Sequence, residues 1–458
     1  AVPLSGDVYL GCKQEDIAPP TDIMKDKSDL YNAVMFDKTP DPEETWDCSG
    51  KTIKAWHYDM QGHVKQTVEG YCELAGVGVE TLKEVTTPNI DDHTLAPEDY
   101  LTRGTLADDC AKIVLKALWP ARIARPELLW AVNSLARNVT KWTRADDKRL
   151  LRLISYMHCT VDHVQVCYVG DPVEKCVLML FVDASFAAEV EHSRSTSGCY
   201  LALVGPNTFV PLAWFVKKQG AVTHSSSESE LLALDAGLRI TGIPTLELWE
   251  IIISLYAPET IGSKPATGTR TIGSIADMID YVPPSLPPIK GKMQLIILED
   301  NEPVIRMCLK RRAPVMRHLS RTVRINLDGL FERIDEDPSI RIKYINTKMQ
   351  LADILTKANF SALQWNALLQ LIQTRPYRPP LSDSGSFSVC DEIKTKSKRE
   401  PTSESFSVIE NPKTHKQCCE FCERPESPLA MCYMCSAWCC TSCCTAWYID
   451  HCTCPNHL

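Results

Sequence analysis

The chain has 458 residues, 44% of them hydrophobic and 23% charged, with a formal net charge of -9. These are ordinary values for a soluble protein with room for two to four domains and at least one sizeable core. The acidic balance excludes a global electrostatic pull toward nucleic acid, so any such contact must be local.

No run of about 18 apolar residues occurs, and the start, Ala1-Val-Pro-Leu-Ser5, lacks an initiator Met and a signal-peptide core. A soluble, intracellular, processed or truncated chain without membrane contact is expected. Of the 21 cysteines, 11 lie between Cys418 and Cys454. That crowding speaks against a disulfide framework spread over the chain and favours metal.

In chain order, residues 1–110 show short apolar runs such as Val8-Tyr-Leu10 among Pro- and Asp-rich stretches, and suggest no chemistry. Helical periodicity begins at Cys110 and carries Ile113, Leu115 and Leu118. Pro126 then opens a second helical run, with Leu128, Leu129, Val132 and Leu135. A third, Asp146 to Met157, places Leu150, Leu153, Ile154 and Met157 on one face and Lys148, Arg149 and Arg152 on the other. Residues 111–170 therefore form a small helical module.

Residues 171–375 predict an α/β domain with an antiparallel beginning. Strands are expected at 177–182, 198–204 and 208–216, the last two joined by a turn at Gly205-Pro-Asn207. A long helix from Ser227 to Leu255 follows, then a strand at 294–298, helices from 301 and 318, a strand at 340–345 and a helix from Gln350. Pro, Gly, Ser and Thr are dense in 256–292, expected to be a mobile insertion, and in 376–412, expected to be a linker.

Three acids stand out in this layout. Asp183 ends the nearly continuous apolar run Val177–Val182, Glu230 opens a helix, and Asp300 ends Leu295–Leu298. Acids placed this way can converge on a pair of Mg2+ ions, which activate water and stabilise the leaving oxygen of a phosphodiester. Without metal, two unit charges about 4 Å apart repel by roughly 4 kcal/mol at an effective dielectric near 20. Ser227-x-x-Glu230 fits a capping box, but Ser225-x-x-Glu228 fits equally well, so Glu228 is assigned the structural role and Glu230 the catalytic one. Asp235 and Glu299 read as bystanders, Trp214 as core, and His224 and His318 as structural or surface residues, not ligands.

In order, Phe181-Val-Asp183-Ala-Ser, Arg194-Ser-Thr-Ser-Gly198, Lys217-Lys-Gln219, Ser225-Ser-Ser-Glu-Ser-Glu230, Glu299-Asp300-Asn301 and Gln350-Leu-Ala-Asp353-Ile-Leu-Thr-Lys357 resemble the ribonuclease H domain of copia-type retrotransposon polyproteins. Ala124-Arg-Pro126, Ala131-Val132, Leu135 and Lys148-Arg149 resemble the helical segment that precedes it, at the end of the reverse transcriptase. Tyr9-Leu-Gly11 resembles a remnant of the palm's last strand, which makes 1–110 a poorly defined palm and thumb remnant.

The resemblance implies that Asp183, Glu230, Asp300 and Asp353 hold two Mg2+ (or Mn2+) ions, with Asp183 bridging and Asp353 on the more exposed ion. Water would cut the RNA strand of an RNA–DNA hybrid and leave a 3'-hydroxyl, the RNA being recognised by its 2'-hydroxyls across the shallow minor groove. Many relatives carry a His shortly before the fourth acid; Asn346-Thr-Lys-Met-Gln350 has none. No paired-aspartate polymerase motif occurs in residues 1–170.

Arg306, Lys310, Arg311, Arg312, Arg317, Arg321 and Arg324 form a basic run without an acid, a candidate for phosphate contact with the hybrid. The tail, 413–458, offers Cys419, Cys422, Cys432, Cys435, Cys440, Cys443, His451 and Cys454 as ligands for two tetrahedral Zn2+ ions. Doubled cysteines at 418/419, 439/440 and 443/444 leave the register open. Without excess positive charge, the module suits a protein partner.

The expectation is an α/β, mixed-sheet chain: a helical connection module, a five-stranded ribonuclease H-like sheet with flanking helices, a linker and a zinc module. Its leading function is metal-dependent hydrolysis of RNA in hybrids, alone or with the rest of a retroelement polyprotein. The alternative is an inactive module that binds nucleic acid or protein.

Overall fold

The computed structural model describes residues 8–39, 51–186, 194–256, 293–311, 313, 316, 318–377, 429–431 and 438–440. The chain divides into two compact units, 1–394 and 395–458. The expected insertion at 256–292 (Tyr256 apart), the linker at 376–412 (Pro376 and Tyr377 apart), and Arg312 and Arg317 lie outside the described residues. So do Cys419, Cys422, Cys432, Cys435, Cys443, His451 and Cys454.

In chain order the first unit comprises β1 (Val8–Tyr9), β2 (Cys12–Ile17), α1 (Thr21–Phe36), β3 (Lys54–Asp59), α2 (Gln61–Ala75), α3 (Pro97–Leu101), α4 (Cys110–Ile123), α5 (Leu129–Ala136) and α6 (Arg144–Cys159). There follow β4 (His163–Val169), β5 (Val177–Ser185), β6 (Thr196–Gly205), β7 (Thr208–Lys218), α7 (Ser226–Gly237) and α8 (Ile243–Tyr256). The unit closes with β8 (Leu295–Glu299), α9 (Glu302–Leu309), α10 (Arg321–Glu336), β9 (Ile340–Tyr344), α11 (Ala362–Ile372) and β10 (Thr374–Pro376). In the second unit β11 (Leu429–Met431) pairs antiparallel with β12 (Trp438–Cys440), which places Cys440 opposite Leu429.

The fold is mixed α/β around one mixed sheet, in the order β1-β2-β3-β4-β7-β6-β5-β8-β9 with β10 on β4. The five strands anticipated from the sequence are β7, β6, β5, β8 and β9, but they belong to a ten-stranded sheet among the described residues. The extension enters through β4, which meets β7 at Tyr168 and Phe209 and carries β3, β2 and β1 beyond it. The β1–β2 turn puts Leu10 and Gly11 at φ 52° and 79°, the left-handed pair that a tight two-residue hairpin needs.

β5 is buried along its whole length because both faces are covered. Val177, Met179 and Phe181 enter one core with Tyr200, α6 and Trp365, while Leu178, Leu180 and Val182 enter another with α7, α8 and α10. Among the described residues only the pairs with β8 and from β8 to β9 are parallel, so β5 and β8 end at the same edge. The helix expected over Ser227–Leu255 is interrupted by a π-helical turn, Leu238–Gly242. Pro244 supplies no N–H there, and a Cβ on Gly237 would meet Val182 Cγ1 at 2.7 Å, so close seating on the sheet wins over regular winding. The expected helix from Gln350 is a short 3-10 turn, Leu351–Leu355, with the Gln350 side chain accepting from Ala352 N.

One buried cation marks a weak point. Lys27 in α1 is 1% exposed, with Nζ donating to Leu371 O and lying 4.5 Å from the Phe209 ring centre. Burial pulls its pKa down from 10.5 to about 7. The folded chain thus releases a proton between pH 7 and 10.5 that the unfolded chain keeps, so this group makes stability rise with pH across that window. Lys27→Met should remove that slope and stabilise the chain at pH 6 by roughly 1–3 kcal/mol. Thermal unfolding from pH 6 to 10 checks both; an unchanged slope would contradict the assignment.

Candidate active site

The parallel ends of β5 and β8 diverge, and the side chain of Gln350 bridges them. Its Nε2 donates to Val182 O at 2.9 Å and Leu298 O at 3.5 Å, from a fully buried position. Crevices at the carboxyl ends of neighbouring parallel strands are where open α/β sheets place ligands. Asp183 lies two residues inside the end of β5, which runs three residues further than the apolar pattern predicts. Asp300 follows β8 directly, and Glu230 is in the second turn of α7. One carboxylate oxygen from each of these three lies within 4.8 Å of the others.

The surrounding groups hold these carboxylates in place. Thr356 Oγ1 donates to Asp183 Oδ2, Ser226 Oγ donates to Glu230 Oε1 at 2.8 Å, and Thr347 Oγ1 donates to Asp300 Oδ2 at 2.8 Å. Asn301 Nδ2 reaches Glu230 Oε1 at 3.4 Å, and its Oδ1 accepts from Ser227. Gly198, paired with Asp183 across β5 and β6, lets the 351–356 turn approach. A Cβ there would meet Thr356 Cγ2 at 2.4 Å and Leu355 Cβ at 3.0 Å.

Asp353 joins the cluster electrostatically. Lys357 Nζ lies 2.6 Å from Asp353 Oδ1 and 4.0 Å from Asp183 Oδ2, a cation between two carboxylates. Burial, then the charge of Asp183, push the Asp353 carboxyl up to about 7 despite Lys357. Burial likewise raises Asp183, and burial and then Asp183 raise Glu230. For Lys357, burial works against the charge, but Asp183 and Asp353 outweigh it and raise the pKa.

Glu299, read from the sequence as a bystander, is fully buried against Glu230. Burial and the neighbouring Glu230 charge push its pKa well above the carboxylate range. With both groups ionised, Glu230 Oε2 and Glu299 Oε2 are buried oxygens without a hydrogen-bond partner.

Glu228 is occupied otherwise, as the capping pattern suggests. Ser225 Oγ accepts from Glu228 N at 3.3 Å, and Glu228 Oε2 accepts from His224 N at 2.7 Å. Asp235 pairs with Arg239 at 3.2 Å. Trp214 stacks on Tyr200 and donates to Ala121 O at 2.8 Å. In the basic run, Arg306 pairs with Glu302 at 2.8 Å and Arg311 with Asp335, while Lys310, Arg321 and Arg324 are exposed. Gln350, Thr356 and Lys357 belong to the motif read from the sequence, but only the fold reveals what they hold.

The chain is similar to retrovirus-related Pol polyproteins of two Arabidopsis thaliana transposons. With transposon RE2 it is 27% identical over 288 residues, 62% of this chain and 16% of that protein. With transposon RE1 it is 29% identical over 159 residues, 34% of this chain and 10% of that protein. An uncharacterized mitochondrial protein of the same plant is 29% identical over 121 residues, 26% of this chain and 48% of that protein. The chain thus matches less than a fifth of the length of either polyprotein. No family model matches the chain, and no solved structure matches it. Among the described residues no helix is long and apolar enough to cross a membrane.

Proposed function

We propose that this chain is the ribonuclease H part of a copia-type retroelement polyprotein and hydrolyses the RNA strand of RNA–DNA hybrids. The observation that carries the reading is the convergence of Asp183, Glu230 and Asp300 within 4.8 Å, with Asp353 and Lys357 beside them. The strand order β7-β6-β5-β8-β9 supports a ribonuclease H-like sheet. An all-oxygen donor set, with one carboxylate oxygen from each of Asp183, Glu230 and Asp300 within 4.8 Å of the others, suits Mg2+ or Mn2+.

Asp183, Glu230, Asp300 and Asp353 would hold two such ions. When bound there, the ions supply an activated water and neutralise charge on the leaving oxygen. Thr356 and Thr347 fix the orientation of Asp183 and Asp300, and Ser226 and Asn301 that of Glu230. Lys357 holds a positive charge where charge builds up on the phosphate and orients the Asp353 carboxylate. Lys310, Arg321 and Arg324 are the members of the basic run proposed for phosphate contact. In the tail, Zn2+ on the ligand set that includes Cys440 is proposed to build a module for a protein partner.

The test is cleavage of a hybrid with its RNA strand labelled, against the same hybrid with its DNA strand labelled and against double-stranded RNA. Cutting of the hybrid's RNA alone is expected. Salt-sensitive binding of the hybrid by a folded chain with no cutting would replace the enzyme with the inactive binding module.

Gly198→Ala tests the support of the site. The added methyl must displace Thr356 and Leu355, costing roughly 1–3 kcal/mol of stability. Because the displaced turn carries Asp353 and Lys357, cleavage should fall by about 10- to 100-fold, a barrier increase of roughly 1.4–2.7 kcal/mol. Unfolding and cleavage measured on the same preparation check this, and full activity would contradict it.

A further inference from the structure

Two histidines with no part in the acidic site meet on the far side of α7. His224 precedes the helix and His318 precedes α10, yet their rings stack with centres 4.0 Å apart and planes 22° apart. His318 Nε2 lies 3.7 Å from Glu228 Oε2. One ligand atom from each of His224, Glu228 and His318 lies within 4.8 Å of the other two. We propose that His224, Glu228 and His318 form a second metal site, for a borderline divalent cation of the Zn2+ class, separate from the Mg2+ site.

The donor set decides the class of ion. Two imidazoles and one carboxylate are a known three-protein-ligand set for Zn2+, with water in the fourth position, whereas Mg2+ prefers oxygen and keeps its waters. Zinc ligands about 2.1 Å from the ion sit roughly 3.4 Å from one another, so the present spacing must close by little more than 1 Å. Both rings are solvent-accessible, and each can swing out of the stack about its own side-chain torsions.

Glu228 is the fixed member: it is buried, and its carboxylate is anchored by the His224 backbone N–H at 2.7 Å. Glu228 and Glu230 are two residues apart on one helix, about 200° around its axis. They therefore serve different sides of α7, and one site can fill without emptying the other. An ion here would tie the start of α7 to the segment leading into α10. That connection bears on the helix carrying Glu230, without any ligand of the acidic site taking part.

The cysteine-rich tail also attracts Zn2+, so the test is a difference. The full chain, His224→Gln, His318→Gln and Asp183→Asn are each dialysed against buffered free Zn2+ in excess Mg2+, and bound zinc per chain is measured. Far-ultraviolet circular dichroism establishes that each variant is folded. Each histidine variant should bind one Zn2+ fewer than the unaltered chain, and Asp183→Asn should bind the same number. Equal zinc in the unaltered chain and both histidine variants would overturn the site. Loss in one histidine variant alone would equally overturn it, because the proposal requires both rings on one ion. Since Asp183→Asn tests only the acidic cluster, failure of the proposed nuclease would leave this result readable.

Discussion

Asp183→Asn should lower the rate of hybrid cleavage by roughly 1000-fold or more while leaving the chain folded. The several kcal/mol of transition-state stabilisation expected from bound metal depends on the carboxylate that the fold gathers with Glu230 and Asp300. Asp183 is 3% exposed, faces Thr356 and Lys357, and has Asp300 and Glu230 as near neighbours. Burial already raises its pKa, so the metal-free fold favours a neutral group there, and the amide should raise the melting temperature in chelator. Opposite signs for activity and metal-free stability are the signature of a site that trades stability for function. Loss of both together would mean that Asp183 is structural.

The second large effect is the stability of the metal-free chain against pH, read through Asp353. Its carboxyl moves from 3.8 to about 7, for burial first and Asp183 second. Between those values the folded chain holds a proton that the unfolded chain has released. The folded state therefore binds more protons, and this group makes stability fall as pH rises from about 4 to 7. Below that window Asp353 is neutral in both states; above it the whole penalty applies, of the order of a few kcal/mol. Asp353→Asn should flatten the profile and raise the chelator melting temperature at pH 8. Mg2+ should raise it for the unaltered chain and much less for the variant. Calorimetric scans from pH 4 to 8, with chelator and with Mg2+, check the sign. A profile that rises with pH in the unaltered chain and not in the variant would contradict it.

The acids at Asp183 and Asp300 were legible because an apolar run of one residue type after another leaves little doubt about a doubly covered strand, and an acid at its end is conspicuous. The capping patterns fitted Glu228 and Glu230 equally well, and the fold distinguishes them: Ser225 is the cap of α7, and Glu228 accepts from His224 N. β2, Cys12-Lys-Gln-Glu-Asp-Ile17, could not be read as a strand because only its first and last residues are buried. Its place comes from pairing with β3, a long-range contact with no local signal.

The turn at 351–355 defeated helical periodicity for a similar reason. Gln350 is drawn into the cleft between β5 and β8, and Ser361 with Gln364 starts a separate helix. The His224 and His318 pair joins residues 94 positions apart, so neither neighbourhood hinted at the other.

The most direct measurement is the chemistry of the ends left on the RNA strand of a hybrid cut by this chain in Mg2+. A 3'-hydroxyl with a 5'-phosphate on the downstream fragment is the expected result, since an activated water, and not the RNA's own 2'-hydroxyl, attacks the phosphate. A 2',3'-cyclic phosphate, or cutting that persists in chelator, would contradict metal-dependent hydrolysis at the acidic cluster.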